Sequence, residues 1–209
     1  MTRIYAISAT VFIAALLGGI AAFVVFGRGK GEDAFAQCRT TQIAGNVQIG
    51  GPFELTSETG ATVTDAEVVT GPTLIYFGYT FCPDVCPLDN ARNAEAVTLL
   101  DERGHQVTPV FVSVDPARDT PEVMRDYTDL MHPRLLGLSG SEAQVEAAAK
   151  AYKVYFRRHD PDDDGYYLVD HTTYTYLVLP GHGFVDFIRR DATPQEVADH
   201  VSCFLEAGS

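Results

Sequence analysis

Two cysteines, Cys82 and Cys86, carry the most reactive chemistry that the sequence offers. Three residues separate them, and they follow an apolar run, residues 73–77, that is typical of a β-strand. A helical pattern extends from about Leu88 to Glu102, so both thiols lie where a helix follows a strand. The free N–H groups at a helix N-terminus favour thiolate over thiol. Two neighbouring thiolates either form a disulfide or bind a soft metal ion.

A metal site would need a third ligand, and the chain has six histidines. His171 comes just before a strand-like run, in the sequence LVDHTT, whereas the other five lie in turns, beside an acidic loop or on the last helix. If that strand neighbours the central strand, His171 lies above the cysteines, and Asp170 is then expected to orient the site by a hydrogen bond. On spacing alone, an ordinary surface histidine remains the alternative.

The elements that must position these residues form an alternating α/β pattern. A β-hairpin comes first, then strands alternate with helices, and a tight hairpin and a helix end the chain. Helices are predicted to start after Thr120, Ser141 and Thr193, and residues 153–157 are predicted to form a strand. Strands joined through helices should be parallel, and hairpin strands antiparallel. The pattern predicts a thioredoxin-like fold, a mixed central sheet flanked by helices with an N-terminal β-hairpin.

The first 30 residues differ from the rest of the chain. Residues 4–27 contain no charge, and such a stretch is long enough to cross a bilayer core, which needs about 20 residues. We therefore expect residues 1–30 to be a single transmembrane anchor, residues 31–50 a linker that leads into the domain, and residues 51–209 the folded domain. A cleaved signal peptide is the alternative, although its apolar core is normally about 7–15 residues long.

Charge and cysteine content indicate where the domain works. The chain has 28 acidic and 15 basic residues and a formal net charge of −13, which argues against nucleic acid as a partner because phosphates would be repelled. The basic residues around the anchor slightly favour a cytoplasmic domain. We nevertheless expect a periplasmic domain, because four cysteines suit an oxidising compartment. No Arg- and Ser-rich segment precedes the anchor, which favours a bacterial inner-membrane protein.

Three motifs together resemble the Sco/SenC family. They occur in the family's order, as GYTFCPDVCP at residues 78–87, SVDPARDTP at residues 113–121 and VDH at residues 169–171. The resemblance extends over roughly residues 50–205. It implies a membrane-anchored, thioredoxin-like copper protein that helps to assemble the dinuclear copper centre (CuA) of cytochrome c oxidase.

The resemblance also implies roles for single residues. Cys82, Cys86 and His171 match the family's copper ligands, so copper, as Cu(I) or Cu(II), is the expected metal. Subunit II of cytochrome c oxidase is the expected partner, and another periplasmic copper chaperone or a thiol reductase is a further candidate. Asp115 and its neighbours match a family segment without an assigned ligand role, and we interpret them as loop-shaping and helix-capping residues.

The same residues leave other functions open. A thiol–disulfide reductase that keeps the oxidase's copper-site cysteines reduced needs Cys82 and Cys86 but not His171, and a redox sensor is a third hypothesis. Enzyme activity therefore stays open beside the main role as a metallochaperone. Structural zinc is disfavoured, since zinc usually takes four protein ligands. Residues 160–165 match the start of a calcium loop, but its twelfth position is His171 instead of Glu, which favours a solvated acidic turn.

Two further cysteines lie at opposite ends of the domain. Cys38 is near its start, and Cys203 lies on the last helix, away from that helix's apolar stripe. In an oxidising compartment we expect them to form a disulfide that ties the N-terminal segment to the last helix, with two free thiols as the alternative. Lipidation of Cys38 is disfavoured because Gln37 occupies a position that requires a small residue.

Overall fold

The structure, a computed structural model, describes residues 13–20, 22, 33–41 and 47–208. The chain divides into two compact units, Met1–Gln37 and Cys38–Ser209. In the first unit residues 13–20 are helical. Most of the predicted anchor, residues 1–30, lies outside the described residues. Within the described part of the chain, no helix has both the length and the apolar character that crossing a membrane requires.

The second unit is built on a seven-stranded mixed sheet. The strands of this unit are, in chain order, β1 (Glu54–Ser57), β2 (Thr62–Thr64), β3 (Thr73–Gly78), β4 (Thr108–Ser113), β5 (Leu136–Ser139), β6 (Phe156–Arg158), β7 (Val169–His171), β8 (Thr175–Leu179) and β9 (Gly183–Ile188). The large sheet has the order β2-β1-β5-β4-β3-β8-β9, and β6 and β7 form a separate two-stranded sheet. As predicted, β3, β4 and β5 are parallel, while β8 and β9 form an antiparallel hairpin.

Five helices accompany these strands within the described residues. They are α1 (Asp65–Val68), α2 (Val85–Glu102), α3 (Pro121–Met131), α4 (Glu142–Ala151) and α5 (Pro194–Ala207). The predicted starts of α3, α4 and α5 are confirmed, because the side chains of Thr120, Ser141 and Thr193 each accept a hydrogen bond from a first-turn N–H group. Such caps are local signals, which is why the sequence alone identifies them.

Two local predictions were incomplete. The strand expected over residues 153–157 begins only at Phe156, because Lys153 has a φ of +57°, a left-handed conformation that an extended strand does not accommodate. The short helix α1 was not predicted, although Thr64 and Glu67 form the capping box at its start.

The central strand β3 positions the cysteines. All six of its residues are buried, and its last residue, Gly78, pairs in register with Ser113 at the end of β4. Because the two strands are parallel, the loops that follow them leave the same edge of the sheet. The cysteine segment, residues 79–84, therefore lies beside the segment of residues 114–119.

Candidate metal centre

Cys82 and Cys86 lie on either side of the start of α2. Cys82 belongs to the loop after β3, and Cys86 is the second residue of the helix. The backbone N–H of Cys86 donates a hydrogen bond to the Cys82 sulfur at 3.3 Å, whereas Asp84 makes no side-chain capping bond. Since the first N–H groups of a helix have no partner inside it, the sulfur of Cys82 serves as the cap. Its thiolate form is favoured by the helix N-terminus.

The two thiols are free and buried but differ in acidity. Cys82 is 8 % exposed and Cys86 is fully buried. The hydrogen bond from the Cys86 thiol has the largest effect on Cys82 and lowers its pKa to about 3, although burial opposes this shift. Burial, followed by the hydrogen bond with Cys82, raises the pKa of Cys86 above its ordinary value. The pair is thus one thiolate, Cys82, beside one thiol, Cys86.

His171 reaches the cysteines from the two-stranded sheet. It is the last residue of β7 and pairs with Phe156 of β6. Its Nε2 lies 3.2 Å from the Cys86 sulfur, and its Nδ1 lies 3.0 Å from the carbonyl oxygen of Thr172. A carbonyl oxygen can only accept, so Nδ1 carries a proton, and in the neutral ring the lone pair of Nε2 then faces Cys86. This is the tautomer that leaves Nε2 able to bind a metal.

Two tyrosines of the central strand region enclose the imidazole. Tyr76 and Tyr79 both meet the His171 ring edge-on, with centroids 6.1 and 5.8 Å from that of the imidazole. The hydroxyl of Tyr79 accepts a hydrogen bond from the Val169 N–H at 3.3 Å, and the hydroxyl of Tyr76 donates to buried Asp89 at 3.0 Å. Both rings are therefore fixed, and they restrict how the imidazole can turn. No periodic pattern among the residues of this segment indicates that role.

Asp170 does not orient the metal ligands as expected, and that prediction was wrong. Neighbouring residues of a strand point to opposite faces, so the side chain of Asp170 lies away from the cysteines while that of His171 faces them. Asp170 instead pairs with His159 Nε2 at 2.8 Å on the exposed side of the hairpin. The hydrogen bond that orients His171 is the one that its own Nδ1–H donates to the carbonyl oxygen of Thr172.

Asp119 anchors the cysteine segment. Its buried carboxylate accepts hydrogen bonds from the N–H and hydroxyl of Thr80 and from the hydroxyl of Ser113. Burial raises the pKa of Asp119 above its ordinary value, and these hydrogen bonds oppose that shift. The loop-shaping role expected for Asp115 and its neighbours thus includes Asp119, whose partner Thr80 is 39 residues away in sequence.

The second cysteine pair and the acidic turn do not belong to the group of metal ligands. Cys38 and Cys203 form a disulfide, with Cα atoms 5.7 Å apart. In the acidic turn, the carboxylate of Asp162 accepts hydrogen bonds from the N–H groups of Asp164 and Tyr166, as expected of a side chain that shapes a turn.

The donor set limits which metal ions the site fits. The ligand atoms of Cys82, Cys86 and His171 all lie within 4.8 Å of one another. Within the part of the chain that the structure describes, this is the one group of three or more His, Cys, Asp or Glu residues so arranged. Two sulfurs and one imidazole nitrogen suit a soft ion such as Cu(I), and three donors fall short of the four of a structural zinc site.

Comparison with known proteins gives the family. The SCO1/SenC family model matches residues 41–206. Protein SenC of Rhodobacter capsulatus is 59% identical over 175 residues, which cover 84% of this chain and 79% of that protein.

Solved structures agree with this match. The structure of Arabidopsis thaliana ScoI with copper bound superposes with a TM-score of 0.72 at 38% identity and covers 76% of this chain and 99% of its own. The structure of Bradyrhizobium japonicum ScoI with copper bound gives 0.67 at 41% identity, with 74% and 98% covered. The predicted thioredoxin-like α/β fold with a mixed central sheet is confirmed. This chain therefore belongs to the SCO1/SenC family.

Proposed function

We propose that this protein is a membrane-anchored copper chaperone that delivers copper to the CuA site of cytochrome c oxidase subunit II. Cys82, Cys86 and His171 bind the copper ion. The observation that carries the proposal is the convergence of two sulfurs and one imidazole nitrogen within 4.8 Å. The copper-bound structures of the two ScoI relatives, which share 38% and 41% identity with this chain, support it.

The site suits a metal that must leave again. Three ligands do not fill the four-ligand shell of a closed site. A cysteine of the acceptor protein can therefore bind copper before the chaperone's own ligands dissociate from it. Of the two sulfur ligands, Cys82 is the nearer to solvent, and Cys86 is fully buried. We expect the incoming thiolate to displace Cys82 before Cys86.

Copper binding should depend on the redox state of the pair. A Cys82–Cys86 disulfide has no thiolate to offer a metal, because only the deprotonated, reduced sulfur is a good ligand. Reduction of the pair by another thiol protein therefore has to precede loading. A periplasmic thiol reductase would carry out this step, and another periplasmic copper chaperone is the alternative further partner.

A second function, thiol–disulfide reductase, is favoured by the unequal acidity of the two thiols. The Cys82 thiolate would attack the disulfide of the oxidase copper site and form a mixed disulfide, releasing one substrate thiolate. Cys86, after losing its proton, would attack the Cys82 sulfur. This releases the second substrate thiol and leaves a Cys82–Cys86 disulfide.

We place the protein in the bacterial inner membrane, with residues 1–30 as a single anchor and the domain in the periplasm. The uncharged run of residues 4–27 supports an anchor. The Cys38–Cys203 disulfide supports an oxidising compartment. The acidic composition argues against nucleic acid as a partner.

One experiment separates the two functions. Copper-loaded protein is mixed with the reduced, copper-free CuA domain of subunit II, and reduced protein is mixed with the oxidised form of that domain. For the chaperone, His171→Ala should abolish copper transfer and leave disulfide reduction intact. If transfer survives His171→Ala unchanged, the chaperone function through this site is wrong. If neither reaction occurs with the wild type, both proposals fail.

A further inference from the structure

Arg118 lies between the two segments that carry the metal ligands. Its guanidinium carbon lies 3.6 Å from the ring centroid of Tyr167 and 4.9 Å from that of Phe81. The rings of Tyr79 and Tyr166 lie 5.5 and 5.9 Å away. Tyr79 and Phe81 belong to the cysteine segment, whereas Tyr166 and Tyr167 precede β7. We call Arg118 with these four rings the arginine cage.

The polar contacts of Arg118 also link it to these segments. Its Nη1 donates to the carbonyl oxygen of Tyr167 at 3.0 Å, and its Nε pairs with the carboxylate of Asp115. Its Nη2 is shielded from solvent, and none of the described residues accepts a hydrogen bond from it. Aromatic faces surround the cation, and their cation–π attraction takes the place of that missing bond.

Asp115 extends the same connection to β6. It is fully buried, accepts a hydrogen bond from the Tyr167 hydroxyl at 3.0 Å and forms an ion pair with Arg158 Nη2 at 3.3 Å. Arg158 is the last residue of β6 and pairs in register with Val169 of β7. Together, Arg118 and Asp115 therefore contact the last residue of β6 and the segment that leads into β7.

This connection matters because the metal ligands belong to different sheets. Cys82 and Cys86 follow β3 of the large sheet, while His171 ends β7 of the small one. We propose that Arg118 is a positioning residue, which holds the β6–β7 hairpin against the cysteine segment and so keeps His171 Nε2 within reach of both sulfurs. The copper readout of this inference rests on the proposed function, whereas its geometric readout needs only the metal-free protein.

The copper test compares Arg118 variants in two backgrounds. Cu(I) affinity of the reduced full-length protein is measured by competition with a chromophoric chelator. Arg118→Gln should weaken binding by about 10- to 100-fold, as loss of an orienting contact typically does. In a His171→Ala background the same change should have no further effect, because the ligand that Arg118 positions is already gone. An equal loss of Cu(I) affinity in the wild-type and His171→Ala backgrounds, or no loss of affinity in either, would overturn the proposal.

Two further variants separate positioning from general stability. Arg118→Lys keeps the charge but loses the planar fork and the stacking of the guanidinium, so we expect an intermediate loss of affinity. Arg134→Gln removes an ion pair to Asp101, 2.6 Å long, which lies outside the cage, and should leave Cu(I) affinity unchanged. An affinity loss at Arg134 as large as that at Arg118 would contradict the proposal.

The metal-free protein provides a second readout. In its NMR spectra, nuclear Overhauser contacts between the His171 ring and the Cys86 β-protons should weaken in Arg118→Lys, and this holds even if Arg118→Gln does not fold. Unchanged contacts would overturn the positioning role. If the wild type does not bind Cu(I), the proposed function fails, while these contacts still decide the role of Arg118.

Discussion

The Nε2 nitrogen of His171 lies 3.2 Å from the sulfur of Cys86, although the two residues are 85 positions apart in sequence. The hydrogen bond from Nδ1–H to the Thr172 carbonyl oxygen fixes the ring so that Nε2 faces that sulfur. One imidazole nitrogen and two sulfurs are thus held close together before any metal arrives.

Gly78 allows the close approach of Cys86 to β3. A Cβ atom at Gly78 would lie 2.8 Å from the Cys86 sulfur and 2.9 Å from a ring carbon of Phe111. We expect Gly78→Ala to lower the free energy of unfolding by about 1–3 kcal/mol, as overpacking of a core does. It should also weaken copper binding by moving the sulfur. Urea unfolding and Cu(I) competition measure the two effects.

The matched control for Gly78 is Gly71, just before the same strand. A Cβ atom at Gly71 has no heavy atom of a described residue within 4 Å beyond its chain neighbours. Gly71→Ala should therefore change neither stability nor copper affinity appreciably. Equal destabilisation by the two substitutions would show that the contact with Cys86 is not the cause.

Cys82 should react as a thiolate over an unusually wide pH range. The hydrogen bond from Cys86 lowers its pKa to about 3, so the thiolate is fully formed from about pH 5 upwards and its alkylation rate should be flat to about pH 8. Mass spectrometry of the reduced, metal-free protein treated with iodoacetamide measures this rate. A rate that rises tenfold per pH unit, as for an ordinary thiol, would contradict the prediction.

The variant Cys86→Ala is the control for that measurement. It removes the thiol whose hydrogen bond has the largest effect on Cys82, so the pKa of Cys82 should rise and its alkylation should become dependent on pH. Cys82→Ser should remove the fast reaction altogether, because burial raises the pKa of Cys86.

The Cys38–Cys203 disulfide should stabilise the domain without taking part in metal binding. It closes a separation of 165 residues, and a cross-link over a long loop typically contributes about 2–4 kcal/mol. We expect the double variant Cys38→Ser, Cys203→Ser to lose about that much free energy of unfolding in urea while keeping the copper stoichiometry of the wild type. A changed stoichiometry would mean that these two sulfurs also bind copper.

Much of the fold follows from local signals. The starts of α3, α4 and α5 are fixed by neighbouring residues, such as Ser141 with Gln144, and such signals are readable in a sequence. The start of β6 cannot be read from the sequence in this way. It depends on the left-handed backbone of Lys153, a conformation that lysine rarely adopts.

The site was only partly predictable, for a related reason. The spacing of Cys82 and Cys86 is local, so the sequence indicates a dithiol directly. As expected, His171 comes just before a strand, β8, that pairs with the central strand β3. Its own strand β7 belongs to a separate small sheet, and three-residue strands leave little periodicity to detect. The role of Arg118 depends on rings from two distant segments, so no pattern within its own motif reveals it.

A copper titration of the reduced protein that compares His171→Ala with His159→Ala tests the copper site itself. His159 lies just after β6 and pairs with Asp170 on the exposed side of the same hairpin, so it matches His171 in type and neighbourhood but not in orientation. We expect one copper ion per wild-type molecule, affinity reduced by about tenfold or more in His171→Ala, and wild-type affinity in His159→Ala. Wild-type copper affinity in His171→Ala would show that His171 is not a copper ligand.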